Sequence, residues 1–322
     1  MSKTQTAIRL GLAQTMTYFG TRERENLENA ARLTREAAEA GVDLLVFAEN
    51  YPGPFTADNR YEVEPRLSAA AREHGVALAF GTSLPAPGRP GVYNVATVVL
   101  DADGERRGEY RRTHPDGPYM YRATKEWNYD YEPADQFPVF EMPWGIMGVC
   151  ICSEIHLPEI SRILALKGAE VVVYPSGLLL HECGYTESWQ TLAYARAIEN
   201  QMYTATLVNV VDSSVAAPLS DDPESLLSAQ TKGIGLIASP EGVLARSTET
   251  GILIADLDLE HIRELRRTDE KYVMPPPFET IPGHLKWRRP NLYGDLTDSP
   301  LWPVPRAGRA GAEDGRVTRS MG

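Results

Sequence analysis

The sequence predicts an α/β protein, a four-layer α-β-β-α sandwich made of two similar halves and followed by an extended C-terminal arm. Strand-length apolar runs alternate with longer stretches of helical period, which requires mixed sheets with helices outside them. The same succession of segments then occurs twice. GVDLLVFAEN (41–50) answers to GAEVVVYPSG (168–177), and ATVVLDADGE (96–105) to GLIASPEGVL (235–244). The likeness is one of pattern, not identity, and points to an internal duplication whose two sheets stack face to face.

Residues 7–14 (AIRLGLAQ) alternate as a strand. Residues 22–40, rich in Ala, Glu, Arg and Leu, form an amphipathic helix that stops at Gly41, a residue suited to the position just past a helix. Residues 42–48 (VDLLVFA) are a continuous apolar strand with Glu49 at its end, followed by the loop YPGPF. A helix over 62–74 stops at Gly75, and 76–83 is the next strand. Residues 93–111 read as a hairpin that turns at Asp103-Gly104.

In the second half an apolar run over 146–152 leads to a helix that starts at 158 and ends near Gly168. A strand over 169–177, a helix over 186–200 and a strand over 202–211 follow. A hairpin over 233–246 turns at Glu241-Gly242, and a strand over 251–259 closes the series. Beyond about 270 the chain becomes proline-rich and aperiodic. The predicted organisation is one body over 1–270, an arm over 271–305 lying on the body or on a partner subunit, and a disordered tail over 306–322.

A net charge of −12 argues against nucleic-acid binding, which needs a basic footprint. No apolar run is long enough to span a bilayer, so no membrane partner is expected. The start, MSKTQTAIRL, lacks the apolar core of a signal peptide, and three cysteines do not make a disulfide framework. Both features point to the reducing cytoplasm. His181 and Cys183 lack paired ligands at zinc spacing, so no metal is expected.

The stretch PWGIMGVCICSEIHLPE (143–159) carries the strongest chemical signal. It reads as a buried strand that delivers Cys152 to the point where strand becomes helix. A thiol there has a rigid mount and backbone N–H groups able to face a developing oxyanion. The alternative is a core cysteine, since unpaired Cys is among the most buried residue types. Cys150, on the opposite face by the strand period, fits the core reading better.

Four segments in order, GVDLLVFAEN, YNVATVVLDADGERRGEYRRTH, PWGIMGVCICSEIHLPE and YARAIENQMY, with WRRPNLY as a weaker fifth, resemble the nitrilase (carbon–nitrogen hydrolase) superfamily over roughly residues 7–293. The resemblance implies the duplicated four-layer sandwich and cleavage of non-peptide C–N bonds in a small-molecule amide, N-carbamoyl or nitrile substrate. It implies no cofactor and a homodimer or larger homo-oligomer. It also implies a Glu-Lys-Cys triad, in which Glu49 is the base and Cys152 the nucleophile. A thiol is mostly protonated at neutral pH, so a carboxylate must take its proton and later return it to the leaving amine.

This chain departs from the family pattern at the lysine, where Arg112 stands in Tyr110-Arg111-Arg112-Thr113-His114. Arginine keeps its charge and donates to anions, but it is longer and forked. Lys125 is the nearby lysine able to substitute. Ala48 precedes the glutamate where the family has Pro, Ser153-Glu154 follows the cysteine, and Gly233-Ile234-Gly235 replaces a Gly-X-Ser segment. A second family glutamate corresponds to Glu126, one residue out of register, with Glu132 as its competitor. Tyr51, Ser153, Glu154 and Ser176 are the expected substrate-binding residues. Arg196 and Glu199, three apart on one helix, are expected to pair and to act structurally. The aromatic cluster over 119–131 reads either as a substrate wall or as a packed surface loop. The expected activity is amide or N-carbamoyl hydrolysis through a Cys152 thioester. The rivals are acyl transfer from the same thioester and a ligand-binding protein impaired by Arg112.

Overall fold

The computed structural model describes residues 6–57, 60–115, 130–177, 185–211, 232–269 and 276–298. The chain divides into two compact units, Met1–Leu285 and Lys286–Gly322. Among the described residues, no helix is long and apolar enough to cross a membrane.

The first unit contains two sheets. One comprises β1 (Ala7–Gln14), β2 (Leu44–Val46), β3 (Ala77–Pro85), β4 (Val92–Leu100), β5 (Arg106–Arg111), the short β6 (Asp130–Tyr131) and β13 (Gly251–Asp258). The other comprises β7 (Val139–Met142), β8 (Gly145–Val149), β9 (Val171–Ser176), β10 (Tyr203–Val208), β11 (Gly235–Ser239) and β12 (Gly242–Ser247). Their orders are β13-β1-β2-β3-β4-β5 and β7-β8-β9-β10-β11-β12. Each begins with an antiparallel pair, continues through three mutually parallel strands and ends in an antiparallel meander. Apart from β6, which pairs with β4 off this path, the duplication read from the sequence is therefore present strand for strand, and the fold is the expected α-β-β-α sandwich.

Parallel neighbours need crossovers, and helices supply them in both halves. Helices α1 (Glu25–Glu39) and α2 (Glu64–His74) link β1 to β2 and β2 to β3. Helices α3 (Pro158–Leu166) and α4 (Tyr185–Asn200) occupy the same places between β8, β9 and β10. Helix α1 buries Ala30, Ala31, Leu33, Thr34 and Ala37 on one face, as its period requires. Helix α2 stops at Gly75, whose φ of 67° is left-handed and whose N–H donates to the Ala71 carbonyl at 2.8 Å. Pro158 opens α3, where its missing N–H costs nothing.

Three strands or α-helices described in the first unit are new relative to the sequence reading, the first being the two-residue β6. β7 is a four-residue edge strand, too short to show a period. Helix α5 (Leu259–Arg267) follows β13, capped by Asp258 accepting from the His261 N–H at 3.1 Å. The strand before Cys152 also ends earlier, at Val149, and a 3-10 turn over Cys152–His156 begins at the cysteine itself.

The two sheets are tied at the ends of β1 and β10. Thr17 N–H donates to the Val210 carbonyl at 2.7 Å, and Thr17 Oγ1 donates to Asn209 Oδ1 at 2.9 Å. A second tie is the Glu154 carboxylate, which is fully buried. It accepts from Ile151 N–H at 2.7 Å, on the turn that carries Cys152. It also accepts from Tyr110 O–H, Thr113 N–H and Thr113 O–H at 2.8 Å and from His114 N–H at 2.9 Å, all around the end of β5. Burial alone would raise this carboxyl's pKa. Hydrogen bonding from His114, the Arg112 charge and the Thr113 donor outweigh burial and hold it below the ordinary 4.5.

Gly81 makes room for the segment after β2. A Cβ there would lie 2.2 Å from the Asn50 nitrogen and 2.5 Å from the Ala48 oxygen, both backbone atoms that have nowhere to go. Gly81→Ala is expected to lower the unfolding free energy by about 1–3 kcal/mol in a urea titration. Gly242→Ala, whose Cβ meets open space, should stay within about 0.5 kcal/mol of the parent. Glu154→Gln sets an N–H donor against N–H donors and should cost on the order of 3 kcal/mol at neutral pH. A lowered native pKa means that the wild-type carboxylate's stabilisation is complete above 4.5 and is lost as pH falls through the native value. The gap between the two proteins should therefore narrow in acid, and a pH-independent gap in urea titrations would contradict this account.

Candidate active site

The site lies just past the carboxyl ends of parallel strands from both sheets, the place where such strands leave a crevice. Glu49 follows β2, Cys152 follows β8, Gly177 follows β9 and Asn209 follows β10.

Glu49 is 2% exposed. Its Oε1 accepts from Arg112 Nη1 at 2.9 Å and its Oε2 from the Gly177 N–H at 2.8 Å. Its own carbonyl accepts from Asn209 Nδ2 at 2.6 Å. The Glu49 carboxylate is thus held by one donor from each half, and its backbone carbonyl by a donor of the second. Asn50, next in the chain, takes a φ of 54°, a left-handed conformation that asparagine tolerates better than most residues.

Arg112 follows β5 and is also 2% exposed. Its N–H donates to the Val95 carbonyl at 2.8 Å and its carbonyl accepts from Ala134 N–H at 2.9 Å, so the backbone is fixed on both sides. The guanidinium bridges. Nη1 is on Glu49, and Nη2 donates to Ser153 Oγ at 2.5 Å. Ser153 is the residue after Cys152, so the arginine joins the carboxylate to the turn that carries this cysteine.

Cys152 is 5% exposed and has a φ of 55°. Left-handed backbone at a non-glycine residue costs about 1–3 kcal/mol and persists only where its surroundings dictate it. Here the turn is held by Glu154 on the Ile151 N–H and by Arg196 Nε on the Ile155 carbonyl at 3.1 Å. Arg196 also pairs with Glu199 at 2.9 Å, as its spacing on α4 requires. Cys150 is fully buried, and burial first, then the Glu154 charge, pushes its thiol pKa well above the ordinary value. That leaves Cys150 a poor nucleophile.

The structure brings Glu49, Arg112 and Ser153 into direct contact, with Cys152 covalently next to the last. Glu154 lies at the same turn, with its oxygens taken up by the protein donors described above. Ser176 is buried at the end of β9, where its Oγ accepts from Trp189 Nε1 at 3.0 Å. Tyr51 is fully buried with its ring 5.7 Å from that of Phe47, and desolvation raises its phenol pKa. Glu132 sits near the start of β4, pairing with Arg89 at 2.7 Å. Lys125, Glu126, His181, Cys183 and most of the aromatic cluster over 119–131 lie outside the described residues.

Sequence reasoning missed Gly177, Asn209 and Gln14. Gln14 accounts for the Gly233-Ile234-Gly235 segment: its Oε1 accepts from Gly235 N–H at 2.6 Å, and a Cβ on Gly233 would approach it to 2.1 Å. Asn209 did leave a signal, as a polar residue interrupting the apolar run of β10 and its extension. Among the described residues, no cluster of three or more His, Cys, Asp or Glu could hold a metal ion.

Known proteins share this chain's sequence pattern and fold. The carbon-nitrogen hydrolase family model matches residues 9–267. The chain is 32% identical to an omega-amidase NIT2 of Xenopus tropicalis over 257 residues, covering 75% of this chain and 86% of that protein. It is 29% identical to the human omega-amidase NIT2 over 275 residues, 81% and 92% of the two chains. A carbon-nitrogen hydrolase from Helicobacter pylori G27 superposes with a TM-score of 0.73 at 25% identity, over 92% of this chain and all (100%) of that one. A nitrilase-superfamily amidase from Nesterenkonia AN1 shares the fold, with a TM-score of 0.67 at 21% identity over 91% and 98% of the chains. With a family match that runs from β1 through α5, the chain belongs to the carbon-nitrogen hydrolase family of the nitrilase superfamily.

Proposed function

We propose that this hydrolase cleaves the C–N bond of a small-molecule amide through a thioester on Cys152. The observation that carries the reading is the bridge by Arg112 from Glu49 to Ser153, which sets a carboxylate and a permanent cation beside the nucleophile turn. In the proposed sequence Glu49 takes the Cys152 proton, and the thiolate attacks the amide carbonyl carbon. The resulting oxyanion is held by Arg112 and by the Ser153 N–H. Collapse breaks the C–N bond, and Glu49 returns the proton to the departing ammonia or amine. Water, deprotonated by Glu49, then attacks the thioester, and the carboxylic acid leaves as the thiol reforms.

The omega-amidase relatives support an amide over an N-carbamoyl or nitrile substrate. The proposal includes cytoplasmic action as a homodimer or larger homo-oligomer. Leu166 and Ile198, 51% and 37% exposed on the adjacent helices α3 and α4, support a contact between copies. Light scattering tests this, and a monomer would count against it.

Intact-mass analysis with a panel of primary amides should find an acyl adduct on Cys152 and none on Cys150. Cys152→Ala should abolish both adduct and ammonia release. Glu49→Gln should lower kcat roughly 10²–10⁴-fold in a protein that still folds by circular dichroism. An adduct elsewhere, or a Glu49→Gln protein with unimpaired kcat, would refute the proposed roles.

A further inference from the structure

A guanidinium has two terminal nitrogens, and Arg112 uses them on different parts of the site. Nη1 donates to Glu49 Oε1 at 2.9 Å, and Nη2 donates to Ser153 Oγ at 2.5 Å. With one contact alone, the planar group could pivot about that bond. With two, on carriers that are themselves fixed, its plane is set. Both carriers are fixed. Glu49 is held by Gly177 and Asn209, and the turn bearing Ser153 is held by Glu154 and Arg196.

We infer that Ser153 is a positioning residue whose hydroxyl seats the second arm of Arg112, so that positions 112 and 153 act as a coupled pair. The inference rests on the hydrolase reading above and deepens it. Arg112 is 2% exposed, so water has little access to take the place of the Ser153 hydroxyl. The side chain at 153 must also be short. Its γ atom already touches the guanidinium, so a longer group would displace the nitrogen it now receives. A lysine at 112 ends in a single nitrogen and has no second arm to place, so it would draw little from the Ser153 hydroxyl.

A double-mutant cycle tests the coupling, with Ser153→Ala, Ser153→Thr, Arg112→Lys and Arg112→Lys/Ser153→Ala assayed on propionamide. Ser153→Ala should lower kcat about tenfold with KM little changed, the loss typical of one hydrogen bond to a charged group. Ser153→Thr, which keeps the hydroxyl, should restore most of that loss. Adding Ser153→Ala to Arg112→Lys should cause little further loss. Additive effects, a Thr variant as impaired as the Ala variant, or a change confined to KM would overturn the inference. A second readout is the pH dependence of Cys152 alkylation by iodoacetamide, followed by intact mass. Ser153→Ala should shift its midpoint in the Arg112 protein and not in the Arg112→Lys protein, and an unshifted midpoint in both overturns the coupling. If the wild-type enzyme neither turns over nor acylates with any amide, the hydrolase reading fails, and the alkylation profile still decides the coupling.

Discussion

A carboxylate and a guanidinium, each 2% exposed, meet where the two sheets converge, and this buried ion pair sets the conditions for everything around it. Taking two charges out of water costs several kcal/mol per ion, and their mutual attraction offsets this only with good geometry and further hydrogen bonds. The protein supplies those bonds from fixed backbone and short side chains: the Gly177 N–H on Glu49 and the Ser153 hydroxyl on Arg112. A backbone donor and a short side-chain acceptor of this kind are set in place before any charge moves.

The duplicated topology explains why this meeting point exists. In each half, three parallel strands run toward the same end and stop, leaving loops that need not obey the sheet's alternation. Chemistry can then be divided between halves without disturbing either core. The first half presents the carboxylate and the arginine, and the second presents the thiol. The walls behind them are apolar and closely packed, with Val46, Phe47, Val149 and Tyr174 fully buried. A packed interior of this kind keeps the loop ends in register with one another.

Much of this was legible in the residues. Glu49 and Cys152 each end an apolar run, where side chains leave the sheet, and the paired runs 41–50 and 168–177 became β2 and β9 in equivalent places. The resemblance, not the period, singled out Arg112, because nothing local distinguishes it from Arg111. What escaped were contacts made across the fold. The Gly177 N–H has no side chain to advertise it, and Gly81 matters only because Ala48 and Asn50 approach from another segment. Glu154, expected among the substrate-binding residues, is wrapped by donors of the fold itself. Apart from Ile151, its donors lie 40 to 44 positions away at Tyr110, Thr113 and His114, beyond any local pattern. Helix α5 did carry a signal, Leu259, Ile262 and Leu265 at intervals of three behind an Asp cap, but it is short and merges into the preceding strand.

The strand β13 is drawn from residues 251–258, yet it lies antiparallel against β1, from Ala7 opposite Asp258 to Gln14 opposite Gly251. During synthesis the first sheet thus waits with one border open until nearly the whole body has left the ribosome. Domains generally fold as units, and here the unit cannot close early. A truncated product lacks the strand that covers β1, and it leaves a ready template for pairing with other chains. The same adjacency brings the head and tail of the body to one place. A permuted gene that joined residue 258 back to residue 7 by a short linker would leave both sheets' strand order untouched.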